Sequence, residues 1–151
     1  VYGPWGRPDM APWLFTSAIM AGQPIKVFNH GDMRRDFTYV TDLVRAIRLL
    51  MDAVPERGAP VGPADSLSPV APFRVVNIGN GAPVELLDFI AAIEAATGKP
   101  AIKQMLPMQP GDVPATWADT ALLSRLTGYA PQTPVQKGVA EYVDWFRSYY
   151  L

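Results

Sequence analysis

The sequence contains no cysteine, which excludes disulfides, Cys-ligated zinc and a thiol nucleophile and suits a reducing compartment. Histidine is nearly absent too: His30 stands alone, in the polar turn Asn29-His30-Gly31-Asp32. A solvated turn residue and a general base are both open readings of it, the first being the plainer. A metal site would have to be built from carboxylates, none of which fall at ligand spacing, so no metal is expected. Hydrophobic runs are short. The longest, Ala11 to Gly22, is interrupted by Pro12, Thr16 and Ser17 and falls well short of the roughly 20 apolar residues of a membrane helix. No basic segment precedes an apolar core at the start, so no signal peptide is expected. Neither sign of charge dominates, with thirteen Lys or Arg against fourteen Asp or Glu and a net charge of -1. That balance argues against the clustered basic surface that nucleic acids require.

What is present describes one globular domain: 151 residues, 49% apolar and 18% charged. Sixteen prolines, about twice the usual share, predict short elements joined by turns. The opening on Val1 rather than Met leads us to expect a piece of a longer chain. Stop signals at Gly22 and Pro24 bound a helix over Ala11 to Ala21, and Ile25 to Phe28 alternates as a short strand. Arg34 to Tyr39 reads as extended. A helix from Thr41 to Asp52 follows, its inner stripe expected to be Leu43, Val44, Ile47, Leu50 and Met51. Residues 53–72, with five prolines, read as a variable surface loop. Phe73 to Ile78 reads as a buried strand, and a helix from Pro83, tolerated in the first turn, runs to Thr97 before the stop at Gly98 and Pro100. A strand over Ala101 to Leu106, turns to Pro114, a helix capped by Asp119, and a last helix entered through Thr133 and Pro134 complete an α/β order. That last helix is expected to turn Val139, Tyr142, Val143, Phe146, Tyr149 and Tyr150 inward.

Three segments carry candidate chemistry. Gly79-Asn80-Gly81 lies between a strand and a helix, as a dinucleotide fingerprint would. Val84 occupies the place of the third glycine, however, and no acidic residue follows a second strand. A tight turn is the alternative, with amides still able to meet a ligand. In the extended pair Arg34-Arg35 successive side chains oppose, so one arginine at most faces a pocket, and both could be solvated. Arg7 sits in the rigid loop Val1 to Asp9 (VYGPWGRPD), suited to holding a guanidinium in fixed geometry.

Taken in order, YGPWGRPD, RDFTYVTD, VNIGNG with PVELLDFI, and QPGDVPATWAD resemble the C-terminal half of the extended short-chain dehydrogenase/reductases, specifically the nucleotide-sugar epimerases. RPDM and MQPGDVPATWAD point to the branch acting on UDP-glucuronate. The resemblance implies a small α/β substrate-binding domain spanning residues 1–151, with short strands, several helices and its N-terminal Rossmann lobe absent.

It further implies that Arg35 contacts the diphosphate and Asp112 the ribose or the neighbouring diphosphate. The strand Lys26, Val27 and Phe28 is implied to line the uracil, with Phe28 stacking on it. Gln109 stands where many relatives carry a second diphosphate-binding arginine. Arg7 is implied to hold the C6 carboxylate of the sugar, a planar pairing that lysine reproduces poorly. The implied reaction is oxidation at C4 by NAD, rotation of the 4-keto sugar and re-reduction. None of the six tyrosines is followed by lysine four residues later and the NAD fingerprint is missing, so no catalytic or NAD-binding residue is expected in this chain, which should be inactive alone. The implied setting is a cytoplasmic homodimer serving polysaccharide synthesis, with a UDP-sugar and the Rossmann lobe as partners and no membrane or nucleic acid. A decarboxylase or dehydratase of the same family, and a non-catalytic UDP-sugar binding module, are the alternatives.

Overall fold

In the computed structural model, which describes residues 1–151, the first helix α1 (Ala11–Ala21) ends as its stop signals require. Gly22 takes φ 67°, and its N–H and that of Gln23 return to the carbonyls of Ile19 and Ala18. The chain turns into β1 (Pro24–Val27), which pairs in parallel with β4 (Ile102–Met105). A second, three-stranded sheet has β2 (Arg34–Arg35) at its centre, antiparallel to β3 (Val84–Glu85) and parallel to β5 (Ala115–Thr116). The remaining helices are α2 (Val40–Leu50), α3 (Leu86–Thr97), α4 (Ala121–Thr127) and α5 (Val135–Tyr150).

The main core lies where α1, α3 and α5 converge on β1. Phe15 and Ile19, then Phe89, Ile90 and Ile93, then Val139, Tyr142, Val143 and Phe146 pack around Ile25 and Val27. Tyr2 and Tyr39, joined as neighbours by an isolated β-bridge, close it on the side nearest α5. A smaller cluster of Ala46, Leu123 and Tyr129 joins α2 to α4 and is covered by Leu49, Leu50, Val76 and Ile78. Asp42 links the two regions. Its carboxylate accepts bonds from the Tyr129 hydroxyl at 2.9 Å and from the N–H groups of Thr133 and Gln132 at 2.9 and 3.3 Å. Burial would raise this carboxyl's pKa, but those bonds outweigh it and hold it below the usual range.

Several expectations are corrected. The helix predicted from Pro83 begins at Leu86, because Val84 and Glu85 pair with Arg35 and Arg34 as β3 instead. Phe28 leaves the strand and opens a 3-10 turn, Phe28–Gly31, in which Asn29 and His30 both take positive φ. Phe73 to Ile78 forms no strand: its main chain is met by Ser66 and Ser68 of the preceding loop rather than by a sheet neighbour. The stripe on α2 is split: Leu43 and Leu50 are half-buried, Leu50 against the small cluster, whereas Val44, Ile47 and Met51 are exposed and Ala46 is fully buried. Tyr149 and Tyr150 likewise face outward at the end of α5. Pro134 is the N-cap of α5, one position earlier than its predicted place in the first turn, and Asp119 accepts the Ala121 N–H at 2.9 Å at the start of α4.

The loop 53–72 is more tightly built than its composition suggests. Arg74 grips Asp65 through two parallel bonds of 2.8 and 2.9 Å, both side chains almost wholly covered, while the N–H groups of Val61 and Leu67 complete the carboxylate's shell. The Arg74 bonds, opposed by desolvation and aided by those N–H groups, lower the Asp65 pKa to about 2. Against an unfolded carboxyl near about 3.9, the contribution to stability is full above that value and is lost as pH falls through about 2. Protection from hydrogen exchange across 53–72, taken relative to the intrinsic amide rate at each pH, should therefore fall between about pH 4 and pH 2. Asp65→Asn should show the same loosening at neutral pH, and unchanged protection in that variant would remove the pair as the loop's clasp.

Candidate functional site

The alternation expected of Arg34 and Arg35 is what the sheet delivers. Arg34 projects to the outside and pairs with Glu85 at 2.6 Å, while Arg35 turns the other way into a cavity of about 400 Å³. Arg35 is held by three bonds. Nη1 donates to the carbonyls of Arg34 and Pro114 at 2.9 and 3.2 Å, and Nη2 donates to Asp112 Oδ1 at 3.0 Å. A guanidinium has five N–H donors, so Nε–H and one Nη2 hydrogen are left for an incoming acceptor. The side chain is 27% exposed, partly shielded yet open on the cavity side.

Asp112 reaches the site from the turn after β4, where its own N–H bonds the Gln109 carbonyl at 3.2 Å and its carboxylate also accepts the Val113 N–H at 3.0 Å. Lys26 projects from the exposed face of β1 into the same cavity, and Phe28 adds a half-buried ring from the 3-10 turn. The floor is apolar, with Phe15, Met33, Phe37 and Leu86, and Thr116 of β5 adds a hydroxyl at the wall. Phe37 in turn stacks on Phe89 of the core, centroids 4.0 Å apart and planes 6° from parallel, which fixes that wall. The site thus offers a cation flanked by a carboxylate at one end and flat apolar surface at the other. That is the layout for a ligand with an anionic middle and a planar head.

Of the residues singled out in the sequence, the structure brings Lys26, Phe28, Arg35 and Asp112 together. Val27 is not among them: it is fully buried, because β1 points alternate side chains into the core. Gln109 is exposed on the turn and lines no part of the cavity with its side chain. Arg7 stands outside the lining as well, 73% exposed and paired with Asp9 through bonds of 3.0 and 2.6 Å. His30 is exposed, with no side-chain partner among the site residues.

Asp36 was missed. It lines the cavity, and its carboxylate accepts the N–H groups of Asn80 and Gly81 at 3.0 and 2.9 Å. A Cβ on Gly79 would come within 2.7 Å of the same carboxylate. The glycine turn that mimics a dinucleotide fingerprint therefore spends its amides on an internal anion. Strand alternation alone would put Asp36 on the outer face with Arg34, and nothing in the sequence points to amide partners 44 and 45 residues away.

Tyr2 was missed too. Its buried hydroxyl lies between the cavity and α5, and burial, reinforced by nearby Tyr39, Asp42 and Glu141, raises its pKa strongly. Tyr39 is pushed up to about 12, chiefly by burial and then by Glu141. Both phenols stay neutral across the ordinary pH range.

Residues 1–62 match the NAD dependent epimerase/dehydratase family. Over 99% of its length the chain is 52% identical to a probable UDP-glucuronate 4-epimerase of Rhizobium meliloti, covering 45% of that protein. It is 40% identical to UDP-glucuronate 4-epimerase 4 of Arabidopsis thaliana, covering 35% of it. Its fold superposes, over 99% of the chain and 43% of the other, on the crystal structure of UDP-glucuronic acid 4-epimerase from Bacillus cereus in complex with UDP-glucuronic acid and NAD, with a TM-score of 0.79 and 29% identity. The chain thus spans less than half the length of the relatives it matches. Over nearly its whole length it is similar to somewhat under half of proteins named UDP-glucuronate 4-epimerase, and its first 62 residues match the family model.

Proposed function

We propose that this chain is the UDP-sugar-binding domain of an NAD-dependent UDP-glucuronate 4-epimerase. The observation that carries the reading is the half-shielded Arg35–Asp112 pair at the mouth of an apolar cavity that also receives Lys26 and Phe28. Arg35 supplies two unused N–H donors to a diphosphate, Asp112 accepts from the ribose hydroxyls, and Phe28 gives a flat face to the base. Relatives named as UDP-glucuronate 4-epimerases support the identity of the sugar.

The residues of this chain do not fit NAD. The single strand-to-helix glycine turn that could cradle a pyrophosphate is already filled by Asp36, and we derive no chemical step through the cofactor here. Binding of NAD falls to the other part of the enzyme. That part has an apolar face to cover: Val44, Ile47 and Met51 on α2, with Phe73 and Val75 on the neighbouring extended segment, are all roughly half exposed or more.

Arg7 completes the reading as the ligand of the sugar's carboxylate. Asp9 occupies its Nε and Nη2 fork in this structure, and in this reading the sugar carboxylate takes the place of Asp9 on that guanidinium. Ligand competition on the full-length enzyme tests this. Arg7→Ala should weaken UDP-glucuronate about tenfold while leaving UDP-glucose nearly unchanged. Equal weakening of both would remove Arg7 from the carboxylate, and failure of the unmodified enzyme to bind UDP would overturn the proposed function.

A further inference from the structure

The loop from Gly3 to Asp9 leaves the cavity wall at Tyr2 and rejoins it at Met10, so both of its roots line the site while Arg7, near its tip, stands in solvent. Its own main-chain bonds are local, from Gly6 N–H to the Gly3 carbonyl at 3.1 Å and from Met10 N–H to the Arg7 carbonyl at 3.3 Å. Neither bond ties it to another element. Trp5 does. Its ring centroid lies 5.4 Å from that of Trp145 and 4.8 Å from that of Tyr149, and those two rings of α5 are themselves stacked 5.5 Å apart with planes 14° from parallel.

The backbone at Trp5 is unusual in the same place. Its φ is 66°, in the left-handed region that a bulky side chain rarely enters. Such a conformation persists where the surroundings over-determine it, and it clusters at ligand sites. The indole is 72% exposed, so the strain does not come from burying it in a core. Trp5 is the third residue of the turn that the Gly6 N–H closes on the Gly3 carbonyl, a position that takes positive φ, and the aromatic pair on α5 fixes where that turn sits.

We propose that Trp5 is a positioning residue for Arg7: clamped on Trp145 and Tyr149, it holds the loop in the backbone setting that aims the Arg7 guanidinium at a sugar carboxylate, and so sets selectivity for uronates. This rests on the reading of Arg7 given above. Once the indole is removed, the turn loses its hold on Trp145 and Tyr149, and the chain two residues on shifts with it. Tyr2 is anchored by the core and Met10 by the first turn of α1, so the cavity itself stays as it is. The two halves of ligand recognition should therefore separate.

The experiment compares UDP, UDP-glucose and UDP-glucuronate binding by the full-length enzyme in Trp5→Ala, Trp5→Phe and Arg7→Ala variants. Trp5→Ala should cost about tenfold of the preference for UDP-glucuronate over UDP-glucose, the lower end for hydrogen bonds to a charged group. UDP affinity should stay within about twofold, as for a surface change, and Trp5→Phe should recover most of the preference. Equal loss for all three ligands would show a merely structural role and overturn the proposal. If Arg7→Ala abolishes the preference and Trp5→Ala does not, the anchor alone falls. If Arg7→Ala leaves the preference intact, the carboxylate reading fails and takes the anchor with it.

Discussion

Arg35→Ala is expected to weaken UDP binding by about 1.5–3 kcal/mol, roughly ten- to 150-fold, the range for hydrogen bonds to a charged group. The loss has two sources. The diphosphate loses the Nε–H and the free Nη2 hydrogen, and Asp112 loses its 3.0 Å partner, leaving a half-shielded carboxylate beside an incoming anion. Asp112→Asn separates the two, since it removes the uncompensated charge. In the Arg35→Ala background it should recover part of the affinity, whereas alone it should weaken binding by less than Arg35→Ala does. Arg35→Lys should restore charge without the fork that bonds Pro114 and Asp112 together, and so recover little. Titration calorimetry reads all four variants, and an unchanged affinity in Arg35→Ala would take that residue out of the site.

Gly138→Ala is expected to destabilise the fold by about 1–3 kcal/mol, where the same change inside an ordinary helix stabilises by up to about 1. The sign is reversed by what faces the glycine. A Cβ there would fall on the Tyr2 hydroxyl oxygen, with Tyr2 Cζ at 2.9 Å and Tyr39 Cδ2 at 3.0 Å. Tyr2 has no room to retreat, being buried against Phe37 and Phe89, edge to face, at 6.1 and 5.7 Å, and against Tyr39 at 5.5 Å. For a chain of this size each kcal/mol moves Tm by roughly 2–4 °C, which thermal denaturation resolves. Tyr2→Phe gives the control. It forfeits only a long 3.5 Å bond to the Val135 carbonyl, so combined with Gly138→Ala it should stand above Gly138→Ala alone. Additive losses would show that the contact does not limit stability.

Much of the element order was legible because its signals are local. Gly22 and Gly98 end α1 and α3 in left-handed caps that depend on nothing beyond their own turns. The opposed directions of Arg34 and Arg35 follow from the two-residue period of a strand alone, although that period does not say which of the two faces the cavity. What failed needed a neighbour. Phe73 to Ile78 has the composition of a buried strand, yet a strand requires a partner to bond, and nothing in this chain supplies one. The stripe on α2 has helical spacing, but spacing does not say which side meets protein. Here Ala46, the smallest residue available, faces α4, and the larger Val44, Ile47 and Met51 look outward.

The site divides in the same way. Lys26, Phe28, Arg35 and Asp112 were chosen through the resemblance of their segments to a known family, and the structure brings the four to one cavity. Which of the chosen residues share one cavity was decided by packing across long separations: β5 brings the turn of Asp112 to Arg35, the core claims Val27, and α5 fixes the loop of Arg7 through Trp5. Local backbone preferences and side-chain chemistry travel with the sequence, whereas burial and partnership depend on what folds against each face. That is why candidate residues could be named before their positions were known.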